Sequence, residues 1–92
     1  MAHREAIEED GQILGVLERT NTLLKQAEPN IDGKALAEGP VLRRMLFRIK
    51  KDSAHIAREV EVILRADVAV LLDHAFEQLH AVEYLMVCFV CE

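Results

Sequence analysis

The 92-residue chain reads as an all-α protein, a helical hairpin or three-helix unit. Apolar residues recur at three- and four-residue steps over long stretches, the signature of amphipathic helices. Four Gly and two Pro are too few for a turn-rich sandwich or barrel. The strongest breakers, Pro29, Gly33, Gly39 and Pro40, gather in one short region. The length suits one domain, residues 1–92, with only a modest core. With 51% hydrophobic and 29% charged residues the chain is no disordered tail.

The first helix is expected over about residues 4–27. Ala6, Ile13, Leu17, Thr20, Leu24 and Ala27 fall on one face, with Glu8, Gly15, Arg19, Thr22 and Gln26 opposite. Pro29 disfavours helical dihedrals at Glu28, so a loop is expected over 28–39. It carries turn chemistry at Asn30-Ile31-Asp32-Gly33 and room for one helical turn at 34–38. Gly11 and Gly15 form a small-xxx-small pair that would admit a close neighbour.

A second helix, about 40–65, begins at Pro40, whose missing N–H is harmless in a first turn. Leu42, Ile49, Ile56 and Ile63 follow at intervals of seven, joined by Met45, Leu46, Ser53 and Val60. A third segment, about 67–91, carries Val68, Leu72, Ala75, Phe76, Leu79, Val82, Met86 and Val90. Its stripe is rotated by about 100° from the preceding one, more than the ~20° drift of a heptad. Either one long helix shows two faces, or the chain turns near Ala66-Asp67 with Asp67 as cap; the turn is the favoured reading.

Net charge is −5, but it is unevenly laid out: −4 over residues 1–32, +5 over 33–58 and −6 over 59–92. Arg44, Arg48, Lys51, His55 and Arg58 share one narrow face of the second helix, a candidate docking face for an acidic partner. Acidic flanks, and the expectation that no aromatic stands among these cations, argue against nucleic acid.

Glu77 and His80 form a Glu-x-x-His pair of the kind used in carboxylate-bridged metal bundles. A fold-back near Ala66 would set Glu59 against Asp73, His55 against Glu77 and Asp52 against His80. The candidate metal ligands are therefore Glu77, His80, His55 and Glu59. Both groups lie off their apolar stripes, so a solvated polar face is the preferred reading, with no cofactor. Cys88 and Cys91 sit at a helix C-terminus, where the dipole does not favour thiolates, and read as small apolar residues. No nucleophile–base pair or phosphate loop is present in the sequence, so no catalytic residue is expected.

Residues 84–91 carry no charge and are apolar all round. Leu85, Val87, Cys88 and Phe89 are expected to stay exposed on a monomer, and such a patch marks an interface. Leu79, Val82, Leu85, Met86, Phe89 and Val90 are the candidate anchors of a homodimer. No signal-peptide pattern or membrane-length apolar run is seen, and a reducing cytoplasm is the expected setting. The expected function is a non-enzymatic protein-interaction module, a regulator, adaptor, anti-activator or chaperone-like protein, acting as a helical homodimer. A metal-binding helical bundle is the alternative, and a nucleic-acid accessory protein the third reading.

Overall fold

A computed structural model describes the backbone of residues 2–32, 39–62 and 67–90 and the side chains of residues 11–32, 39–62 and 67–88. All described segments are helical: α1 (Ala2–Asp32), α2 (Gly39–Val62) and α3 (Val68–Leu85), with the last turn widening to π-helical hydrogen bonding over Met86–Val90. The result is a rod of 52 × 19 × 15 Å.

In α1 the buried residues are Ile13, Leu17, Thr20, Leu24, Ala27 and Ile31, a single stripe at alternating steps of four and three. The first five match the expected face; the side chain of Ala6 lies outside the described residues. The expected stop before Pro29 is corrected, because α1 runs on to Asp32 with Pro29 inside it. Pro29 is exposed, so its ring takes no space in the core. Ala27 and Ile31, both fully buried, hold the last turn to the core. Lys50 Nζ donates to Glu28 at 2.6 Å and Arg43 Nε to Asp32 at 3.1 Å, tying the same turn to α2. Tertiary packing therefore overrides a local helix breaker. The turn expected at Asn30–Gly33 gives way to helix up to Asp32, and the helical turn expected over 34–38 lies outside the described residues.

α2 buries Leu42, Leu46, Ile49, Ser53, Ile56 and Val60, again one stripe. Met45, expected in that stripe, sits on its edge at 38% exposure; Ile63 and the expected end at 65 lie outside the described residues. α3 buries Val68, Leu71, Ala75, Leu79, Val82 and Leu85. Its stripe is shifted from the expected one: Leu71 and Leu85 are buried, while Phe76 is 38% exposed and Leu72 half-buried.

Two core clusters fill the rod and settle the chain path. One joins Leu24, Ala27 and Ile31 to Leu42, Leu46 and Ile49 and to Leu79, Val82 and Leu85. The other joins Ile13 and Leu17 to Ile56 and Val60 and to Val68, Leu71 and Ala75. The start of α2 thus packs beside the end of α3, and the end of α2 beside the start of α3. The chain reverses between the two helices, giving an up–down–up three-helix bundle rather than one long helix. Asp67 occupies the cap position of α3, but its side chain makes no capping hydrogen bond. Gly11 and Gly15 are exposed, and a Cβ at either would meet nothing within 4 Å, so no neighbouring helix approaches the pair within the described fold.

Candidate functional site

Core formation decides which residues remain for a site. Leu79, Val82 and Leu85 are 7%, 0% and 0% exposed and belong to the intramolecular cluster, which corrects the expectation that Leu85 stays open on a monomer. The reason is geometric: α3 meets both other helices, so its buried arc is broad enough to take Leu85 as well as Val82. Met86 is half-buried and packs against the same cluster. The side chains of Phe89 and Val90, and all of Cys91, lie outside the described residues. Tyr84 and Val87 remain exposed at this end, at 60% and 72%. Cys88 is exposed, and its side-chain hydrogen bond and Coulombic interaction with Tyr84 raise the phenol pKa above its ordinary value.

The basic residues Arg44, Arg48, Lys51 and Arg58 are all exposed. Among them stands Phe47, a ring 67% exposed to solvent. Helical spacing puts Arg43 and Lys51 four residues to either side of it and Arg44 and Lys50 three to either side, so four cations surround it. The expectation of no aromatic among the cations is therefore overturned. Arg43 and Lys50 lean towards α1 to pair with Asp32 and Glu28. Among the described residues no ion pair holds Arg44, Arg48 or Lys51, which leaves Phe47 bordered by paired cations on one side and open ones on the other.

Between α2 and α3 runs a solvent-open groove. One stretch is lined by His55, Ile56, Glu59, Asp67, Val70 and His74, and the next adds Asp52, Glu77 and Gln78. His55 Nε2 lies 3.5 Å from Glu59 Oε1, a contact between exposed side chains. Of the pairings expected from a fold-back, only His55 and Glu77 share this groove. His80 is turned away, its ring 5.9 Å from that of Phe76 at 31°, and His74 is the α3 histidine that faces the groove. Positions 74 and 77 line the groove towards α2, whereas 73 and 80 lie about 40–60° further round than 77 and about 100–120° from 74. No group of three or more His, Cys, Asp or Glu is placed to hold a metal ion among the described residues.

Sequence reasoning missed Phe47, His74 and Val70. For Phe47 the signal was present, since it lies three residues after Arg44 and four before Lys51. For His74 and Val70 it was not, because their role depends on which side of α3 meets α2. Fold and surface together define the class: a small three-helix bundle whose open grooves and outer faces carry its distinctive side chains among the described residues. Comparison with protein-family models, with curated proteins and with solved structures finds no match to this chain. No described helix is long and apolar enough to cross a membrane.

Proposed function

We propose that the chain is a non-enzymatic protein-interaction module that works as a helical homodimer and binds an acidic segment of another protein through the outer face of α2. One observation carries the binding reading: Phe47, 67% exposed in the centre of a cationic strip. An exposed aromatic ring among open Arg and Lys side chains offers apolar area for an anchor and charge to orient it. The strip is one helix wide, which suits a single amphipathic acidic helix laid along it. A long polyphosphate fits less well, because α1 and α3 are acidic on either side and would repel it. In a reducing cytoplasm Cys88 would stay a thiol and leave this face unaffected.

The test is titration of the isotope-labelled protein with an acidic amphipathic helical peptide, followed by amide chemical shifts. Binding should perturb residues around Phe47, and Phe47→Asp or Lys51→Glu should weaken it by at least about tenfold. Equal affinity for wild type and Phe47→Asp would sink the assignment. Retention on heparin that depends on the same residues, with no peptide binding, would favour nucleic acid instead.

A further inference from the structure

The face shared by α2 and α3, beside the Phe47 strip, is divided by charge along its length. On α2, Arg44, Arg48, Asp52, His55 and Glu59 succeed one another at steps of four, four, three and four, so they form one stripe. Cations occupy its first half; Asp52, His55 and Glu59, which line the groove, occupy its second. On α3, Asp67, Val70, His74 and Glu77 line the same groove, and the same spacing continues into Ala81 and Tyr84. Because α2 and α3 run in opposite directions, the cationic half of the first stripe lies beside the Tyr84 end of the second. The carboxylates of both helices share the other half.

A face of opposite charge at its two ends is self-complementary under a twofold axis perpendicular to the helices. We propose that this face is occupied by a second copy of the chain, packed antiparallel so that four helices form the contact. Arg44 and Arg48 of each copy then meet Glu59 and Glu77 of the other. The apolar residues match in the same operation: Tyr84, Met45 and Val41, exposed at 60%, 38% and 54%, lie at the cationic end. Val70 and Val62, exposed at 55% and 76%, lie at the acidic end to receive them. Charge sets the orientation, and apolar burial supplies the affinity. The assignment rests on the homodimer reading above; it shares Arg44 and Arg48 with the border of the Phe47 strip and uses neither Phe47 nor Lys51. It replaces Leu79, Val82 and Leu85 as dimer anchors, since these are already buried within the bundle.

A charge-exchange experiment tests it. Arg44→Glu with Arg48→Glu makes both halves of the face acidic; Glu59→Arg with Glu77→Arg sets like charges opposite Arg44 and Arg48 and cancels the net negative charge of the second half, where Asp52 and Asp67 remain. Sedimentation velocity should give a dimer for wild type and a monomer for each double variant, with helix content by circular dichroism unchanged. An equimolar mixture of the two variants should regain the dimer mass, because opposite charges then meet at both ends of the contact. A monomeric wild type at every concentration overturns the homodimer reading and this assignment together. A dimeric wild type whose two variants remain dimeric overturns the assignment alone, as does a mixture that stays monomeric.

Discussion

Two hydroxyls in the core show how the same residue class differs with its partner. Thr20 is fully buried, and its Oγ1 donates to the Val16 carbonyl at 2.8 Å, so its polarity is satisfied within one turn of α1. Ser53 is 3% exposed in the buried stripe of α2, and its Oγ has no hydrogen-bond partner among the described residues. An unmet buried hydroxyl costs about 1–3 kcal/mol, whereas alanine fits the same space and favours helix. Ser53→Ala should therefore raise stability by about 1 kcal/mol, shifting the thermal midpoint upward by roughly 4–8 °C for a domain of this size. A lower midpoint in calorimetry would mean that the hydroxyl has a partner after all. The position of Ser53 in the core was legible from its place in the Leu42–Ile56 stripe. Its missing partner was not, since hydrogen bonding depends on the neighbouring helices.

The informative element is α1. Its periodicity from Ile13 to Ala27 is plain in the sequence, and the same pattern continues past Pro29 to Ile31, so the stripe outweighs the breaker. Proline in a helix interior costs ~3 kcal/mol relative to alanine, through a lost hydrogen bond and a ring clash. Burial of Ile31 and two ion pairs to α2 hold the turn in spite of that cost. The pairs are half-exposed and each contributes at most about 1 kcal/mol, so apolar packing is the larger effect. Replacing Pro29 with alanine should stabilise the protein by about 1–3 kcal/mol, read as a higher urea midpoint with an unchanged slope. A loss of stability would show that a straight last turn misplaces Ile31. In α3 the difficulty was phase. A one-position shift of the stripe moved Leu71 and Leu85 inward and left Phe76 at the edge, because α3 packs against two helices from different directions.

For the whole molecule, the distribution of charge matters more than its sum. The acidic–basic–acidic order along the chain becomes, once α2 and α3 pack antiparallel, a cationic end and an acidic end on one face. A dimer oriented by those charges should weaken with salt. Raising ionic strength from about 0.05 M to about 0.5 M shortens the Debye length to a few ångströms. The dimer dissociation constant from sedimentation equilibrium should then rise at least about fivefold, and no change would indicate association by apolar contact alone. The same whole-molecule view separates the two surfaces: Phe47 points outward from α2, whereas the charge-divided face lies towards α3. A partner and a second copy would occupy neighbouring strips that meet at Arg44 and Arg48.

The sequence by itself determined that the chain is helical and which side of α1 and α2 turns inward. Those are local properties, set by a 3.6-residue period and the polarity of successive side chains. Only the tertiary structure decided that α1 passes through Pro29, that Leu85 is core and Phe47 is surface, and that His74 rather than His80 faces His55. Each of these depends on where a distant helix lies. Residues far apart in the chain compete for the same apolar space, and the periodicity of one helix carries no record of its neighbour's position.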